Sequence, residues 1–339
     1  MRILVTRTDR MGDVILSIPA VKRLREVLPD SHIAFMVAAE NRELVENEKY
    51  IDEIIVYDKK RAQKGIFSNL LFSWGLRKKK FDMAIALHPS NRTHFVIFAA
   101  GIPRRIGYDK KWPIFLTDKL PHEKQLGKKH EVDYNLGVIA SAGFNIAGCD
   151  RKPAVTVPEK TVQAVKKLLE GAGVSGKIAV IHPGASCRSK TWPPERFAET
   201  ADILSERYGV SVVIIGDTSC SEAARSISGR MRKKPLDLTG RLGLGQLAAL
   251  FSLASVTVSN DSGPAHLAAA AGSPVVVIFG RNDPGISPAR WAPVTEKSRI
   301  LHRPPDCSPC LAHNCRIDFL CLRNIEVGEV VSAAGEIMA

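Results

Sequence analysis

The sequence predicts two doubly wound α/β domains in series, each a parallel sheet with helices on both faces. Three observations predict it. Short β-branched and apolar runs alternate with segments of helical periodicity along most of the chain, the pattern of strand–crossover–strand units. That alternation loosens once, between residues 110 and 158, where Pro113, Pro121, Pro153 and Pro158 fall, and then resumes. The 339 residues are enough for two hydrophobic cores.

Taken in order, residues 2–6 read as a buried strand, and Asp9-Arg10-Met11-Gly12-Asp13 as a turn into a helix running to about Leu28. Pro19 allows two versions of that helix. It starts near Ser17 with Pro19 in its first turn, where a missing N–H costs little, or it starts at Asp13 and bends. Strands follow at 32–37, 51–57 and 82–87, with helices at 67–77 and 91–99, and a further helix at 130–142. The boundary falls near 152–158, giving domains of 1–155 and 156–325 and a closing helix over 326–339. The second domain repeats the logic, with helices at 161–169, 194–208, 221–231 and 244–253 and strands at 177–181, 210–215, 256–259 and 274–279. Two such domains place chemistry in the cleft faced by the carboxyl ends of both sheets.

Forty-eight Lys and Arg against 35 Asp and Glu give a net charge of +13, a positive field that attracts anions. Nucleic acid, anionic lipid headgroups and phosphorylated small molecules all qualify. Nucleic acid loses ground, because aromatic residues are only 6% of the chain and no helix-turn-helix, zinc-finger or RNA-recognition signature is present. The run Arg77-Lys78-Lys79-Lys80 reads as a solvated helix end. The N-terminal apolar run is too short for a signal peptide, and no stretch of 18 apolar residues escapes a charge, His or Pro. The expectation is a cytoplasmic protein able to touch a membrane surface. Cys307, Cys310, Cys315 and Cys321 form C-x2-C-x4-C-x5-C, which suits a structural zinc or iron–sulfur site or a metal-free buried cluster.

Each chemical loop follows a predicted strand. Val256 to Ser259 runs into Asn260-Asp261-Ser262-Gly263-Pro264-Ala265-His266, a strand, turn and helix start with Pro264 at an early helical position. Unpaired N–H groups and the dipole at such a start attract an anion, Asp261 offers an acceptor to hydroxyls, and the same residues also serve as a plain helix cap. The loop His182-Pro183-Gly184-Ala185-Ser186-Cys187-Arg188-Ser189-Lys190-Thr191-Trp192-Pro193 can wrap a pyrophosphate with backbone N–H groups and neutralise it with Lys190. It is not a Walker loop, and no G-x-G-x-x-G fits a dinucleotide fingerprint. Asp13 is a helix cap or a general base. Glu222, after Gly216-Asp217, is a partner for ribose hydroxyls or a surface acid.

Taken together, Arg7-Thr8-Asp9-Arg10-Met11-Gly12-Asp13-Val14-Ile15-Leu16-Ser17-Ile18-Pro19, Lys190-Thr191-Trp192-Pro193, Leu238-Thr239-Gly240 and Asn260-Asp261-Ser262-Gly263-Pro264-Ala265-His266-Leu267-Ala268 closely resemble glycosyltransferase family 9, the ADP-heptose:lipopolysaccharide heptosyltransferases. The resemblance implies a GT-B architecture, an N-terminal acceptor domain, a C-terminal nucleotide-sugar domain and a last helix that crosses back onto the first. It implies inverting transfer of L-glycero-D-manno-heptose from ADP-heptose to Kdo-lipid A or heptosyl-Kdo-lipid A, with no metal cofactor, at the cytoplasmic surface of the inner membrane. Carried onto this chain, Asp13 matches the catalytic base and Lys190 a phosphate-contacting lysine. Asp261 and His266 match the donor pair, with Ser186, Thr191, Glu222, Ser262 and Gly263 around the donor. Arg61, Lys64, Arg92, Arg104 and Arg105 suit an acceptor bearing carboxylates and phosphates. Another nucleotide sugar, another anionic acceptor, or nucleotide binding without catalysis remain the alternatives.

Overall fold

A computed structural model describes residues 1–307, 310 and 312–338. The chain divides into two units, Met1–Pro153 and Ala154–Ala339. In the first, β1 (Arg2–Arg7) leads to a short α1 (Met11–Ile15) and then to α2 (Ile18–Val27). Ser17 is the N-cap of α2 and Pro19 lies in its first turn, so the first version of that helix holds, with one extra turn before it. β2 (His32–Ala38), β3 (Glu53–Tyr57), α3 (Ile66–Arg77), β4 (Met83–Ala86), α4 (Asn91–Ala99), β5 (Arg104–Tyr108), β6 (Asp118–Leu120) and α5 (Glu131–Ser141) complete the unit. All strand pairs are parallel, in the order β3-β2-β1-β4-β5-β6.

The second unit opens with α6 (Glu159–Gly171), β7 (Ile178–His182), α7 (Pro194–Tyr208), β8 (Ser211–Ile214), α8 (Ser221–Arg230) and β9 (Leu236–Asp237). It continues through α9 (Leu244–Leu253), β10 (Val256–Asn260), α10 (Gly263–Ala270), β11 (Val275–Phe279), α11 (Pro288–Trp291) and β12 (Ser298–His302), and closes with α12 (Leu320–Arg323) and α13 (Val327–Met338). Its sheet is again parallel, ordered β12-β11-β10-β7-β8-β9. β1, β4, β7, β10 and β11 are almost wholly buried, which explains their unbroken apolar runs, since a parallel sheet is covered on both faces.

Arg104 and Arg105, named above only as cations that suit the acceptor, form the start of β5, a strand absent from the sequence reading. Polar residues at a strand start carry no apolar alternation, so this strand was not legible. Val327, Val330, Val331 and Ala334 of α13 are buried in the second unit's core with Trp192, Phe197, Val258 and Ile278, which gives the apolar stripe of α13 a partner. Among the described residues no helix is long and apolar enough to cross a membrane.

Candidate active site

In each sheet the strand order reverses direction at one point, and there the loops from two adjacent strands part to opposite faces and leave a crevice. In the first sheet that point lies between β1 and β4, whose last residues pair Thr6 with Ala86. In the second it lies between β10 and β7, where Ser259 pairs with His182. Asp13 follows the first of these points, and Lys190, Asp261, Ser262, Gly263 and His266 follow the second.

At the first, Arg7 ends β1 as a fully buried guanidinium. It donates to Asp9 at 2.8 Å, Asp13 at 2.5 Å, Glu131 at 3.0 Å and Asn135 at 2.9 Å. Lys124 shares Glu131 at 2.6 Å, and His88, just beyond β4, meets Asp9 at 3.2 Å. Two buried cations therefore face three carboxylates. Burial raises the Asp13 carboxyl above its ordinary value; Arg7 pulls it back and Asp9 and Glu131 add to the rise. Burial, followed by the charge of Arg7, holds His88 neutral, at about 3. Asp13 itself sits in the first turn of α1 with its side chain 16% exposed, so it is reachable from solvent as well as held.

The proposed acceptor-side cations divide. Arg92 in the first turn of α4 donates to the Lys59 carbonyl at 3.0 Å, and Lys59 Nζ donates to the Thr8 carbonyl at 2.8 Å, so this group reaches the Asp13 edge. Arg61 and Lys64 are exposed in the loop after β3. Arg104 and Arg105 are not brought there. They pair with Met83 and Ala84 at the opening of β4, about four residues or ~13 Å of strand below the carboxyl edge. Arg104 binds Asp118 and the Ala142 carbonyl, and Arg105 the Phe115 and Ile102 carbonyls.

At the second point, Lys190 forms an ion pair with Asp261. Burial raises the Asp261 carboxyl, and Lys190 then Arg281 counter it. Asn260 locks the two loops together, accepting from Trp192 N at 3.0 Å and donating to the Pro183 carbonyl at 2.7 Å. Trp192 is sealed in the core, edge-on to Phe197 at 4.9 Å, and anchors the loop's far end. Gly280, at the end of β11, admits the loop's backbone: a Cβ there would stand 2.5 Å from the Ser189 carbonyl oxygen. Arg281, in the left-handed region at φ 65°, donates to Ser189 Oγ and Cys187 Sγ, both at 2.8 Å. Burial works against the Cys187 thiolate, yet bonding to Ser189 and the charge of Arg281 hold the thiol below its usual value.

Ser262 is the N-cap of α10, but its hydroxyl does not cap the helix. It bonds Ser259 Oγ at 3.1 Å and His182 Nδ1 at 3.2 Å. Burial lowers His182 to about 4, so the imidazole is neutral. Gly263 and His266 occupy the first turn of α10, His266 buried. Thr191 donates to the Cys187 carbonyl at 3.0 Å, while Ser186 is exposed. Glu222 stands exposed in the first turn of α8. The Lys190–Asp261 pair stands two residues before the start of α10, a helix end whose free N–H groups and dipole suit an anion, while the Arg188 guanidinium lies 5.7 Å from the centre of the Phe319 ring.

Cys307, Cys310, Cys315 and Cys321 line one cavity of about 450 Å³ together with Ser189 and Arg281. Among the described residues, however, no group of three or more His, Cys, Asp or Glu is arranged to hold a metal ion. Sequence reasoning gave no role of their own to Arg7, His88, Lys124, Glu131, His182 and Arg281. Arg7 carried a usable signal, a charge closing a buried strand.

The family model for glycosyltransferase family 9 (heptosyltransferase) matches residues 72–320. Lipopolysaccharide heptosyltransferase 2 of Escherichia coli is 26% identical over 316 residues, 89% of this chain and 88% of that protein. The crystal structure of a family 9 glycosyltransferase from Veillonella parvula superposes with a TM-score of 0.91 at 26% identity, covering 99% of this chain and 97% of that one. E. coli ADP-heptose lps heptosyltransferase II superposes with a TM-score of 0.82 at 23% identity, covering 100% and 98%, a likeness of fold. A family match over most of the chain and two parallel, doubly wound units agree, and the chain belongs to glycosyltransferase family 9, a glycosyltransferase of GT-B fold.

Proposed function

We propose that this enzyme transfers L-glycero-D-manno-heptose from ADP-heptose to the lipopolysaccharide inner core, Kdo-lipid A or heptosyl-Kdo-lipid A. It inverts the anomeric centre without a metal cofactor and works at the cytoplasmic surface of the inner membrane. The observation that carries the reading is the Lys190–Asp261 pair at the switch point of the second sheet. A lysine with three N–H donors beside a helix N-terminus suits a pyrophosphate, and a carboxylate beside it suits sugar hydroxyls. The names of the relatives supply the sugar and the acceptor class.

In this reading the second unit holds the donor and the first the acceptor. The acceptor hydroxyl gives its proton to Asp13 as its oxygen bonds to the anomeric carbon, and the bond from that carbon to the pyrophosphate breaks on the opposite face. The electron pair leaves with ADP, and Lys190 and the α10 N–H groups stabilise the charge that grows there. Ser186, Thr191, Ser262, Gly263 and His266 contact the donor, and Glu222 the ribose. Arg61, Lys64 and Arg92 meet acceptor anions. Arg104 and Arg105 have no part in it.

Mass spectrometry after incubation with ADP-heptose, competing sugar nucleotides and a panel of truncated cores tests this. A heptosylated core formed from ADP-heptose alone is expected. A product from a different sugar nucleotide refutes the donor, and nucleotide binding with no product from any pair refutes the transferase step.

A further inference from the structure

One helix in the first unit carries an apolar stripe on its outward side as well as apolar residues on its inward side. Ile66, Phe67, Leu70, Leu71 and Trp74 of α3 recur at i, i+1, i+4, i+5 and i+8, a single apolar stripe, and it faces solvent, with Phe67 83%, Leu71 68% and Trp74 57% exposed. A surface helix normally buries such a stripe. The inward face is held by Leu76 and Phe72, which pack on the core, and by Asn69 and Ser73. The Asn69 amide accepts from Tyr57 Oη at 2.5 Å and donates to the Gln63 and Gly65 carbonyls at 3.0 and 2.6 Å, while Ser73 Oγ donates to the Asn69 carbonyl at 2.8 Å. These buried polar bonds fix the helix's rotation, so the outward stripe is held in place.

A second group of exposed apolar residues lies on the far side of α4. α3 packs on α4, and α4 on the turn Pro113–Phe115. There Phe98 stacks on Phe115 at 4.8 Å, Trp112 meets the same ring edge-on at 6.0 Å, and Ile114 is 79% exposed. Lys111 and Trp112 both adopt positive φ, 60° and 55°. Two groups of exposed apolar residues linked through one helix mark an interaction site.

Charge identifies the partner. Between Asp58 and Asp82 the sequence holds eight Lys or Arg and no Asp or Glu. Lys78 Nζ lies 3.7 Å above the Trp74 ring and Arg105 lies 5.4 Å from the centre of Phe98, so cations rim the aromatic residues. A second copy of this chain would bring the same basic stretch against itself. An anionic bilayer does the opposite: Trp and Phe settle at headgroup depth while Lys and Arg reach the phosphates. We infer that the α3 stripe with the Trp112–Ile114 turn is the face by which this enzyme docks on an anionic membrane. This takes further the membrane-surface reading above, and it also explains the Arg77-Lys78-Lys79-Lys80 run. Arg61 and Lys64 directly precede α3, so the docked face would lie next to the cations assigned to the acceptor.

Co-sedimentation with phosphatidylglycerol/phosphatidylethanolamine vesicles tests it, with pure phosphatidylcholine vesicles as the neutral arm. Wild type is expected to bind the anionic vesicles at least tenfold better than the neutral ones, with a blue shift of tryptophan emission. Phe67→Asp/Trp74→Asp, and separately Leu71→Asp, are expected to lose about tenfold or more of that binding while retaining transfer to a water-soluble, delipidated core. Equal vesicle binding by wild type and variants, no preference for anionic lipid, or stripe-dependent self-association in analytical ultracentrifugation would each overturn the inference. Vesicle binding intact with no heptosyl transfer by wild type would refute the proposed activity alone.

Discussion

Arg7 Nη2 stands 2.5 Å from Asp13 Oδ1, and the arginine that holds the proposed base is sealed from solvent at the end of β1. Arg7→Met would take from Asp13 its buried cation and from the fully buried Glu131 one of its two cations, Lys124 remaining. Breaking a buried pair this way costs about 3–5 kcal/mol, and a lower midpoint in thermal unfolding is the expected readout. Arg7→Lys keeps the charge but loses the forked bonds. The Asp13 carboxyl then rises further, and because a base acts only when deprotonated, the acid limb of kcat/KM moves to higher pH. A pH–rate profile checks the direction.

Lys190 and Asp261 answer to one another in the same way across two loops. Lys190→Ala removes the fixed positive partner of the leaving group and is expected to lower the transfer rate about a hundredfold or more, ~3 kcal/mol of barrier. Lys190→Arg should recover part of it. Steady-state kinetics on both variants make the comparison, and an unchanged rate for Lys190→Ala would remove this lysine from the step.

Gly280→Ala is a quieter test of the donor loop. Its Cβ would meet the Ser189 carbonyl oxygen at 2.5 Å and Leu322 at 3.1 Å, so the backbone carrying Lys190 must shift. Overpacking of this kind costs about 1–3 kcal/mol. Weaker ADP binding in calorimetry is expected, with the first unit's Asp13 network untouched.

His182 predicts an acid sensitivity of the second unit. Its folded value is lowered to about 4 by burial, below the ~6.5 of an unfolded chain. The unfolded state therefore binds more protons between those values, and stability present above pH ~6.5 falls as pH drops toward 4, by roughly 3 kcal/mol. His182→Gln should flatten that slope in unfolding measured from pH 4 to 7.

Strands such as β1, β7, β10 and β11 were legible because both faces are buried and their apolar runs are unbroken. β9 and β6, two and three residues long at sheet edges, carry too few side chains to show a period. Asp13, Lys190 and Asp261 stood out because turn chemistry follows a strand. Arg7, Glu131 and Lys124 did not, because residues 117 to 124 positions apart in sequence meet only once β1 and α5 are packed. Arg104 and Arg105 misled for the converse reason: composition counts charges, while strand direction decides which edge they occupy.

The most direct test of the account is single-turnover transfer by Asp13→Asn, with ADP-heptose affinity measured on the same protein. Loss of a general base costs about 10²–10⁴-fold, so transfer should fall by that factor with donor affinity unchanged. Transfer at the wild-type rate would contradict the assignment of Asp13 as the base.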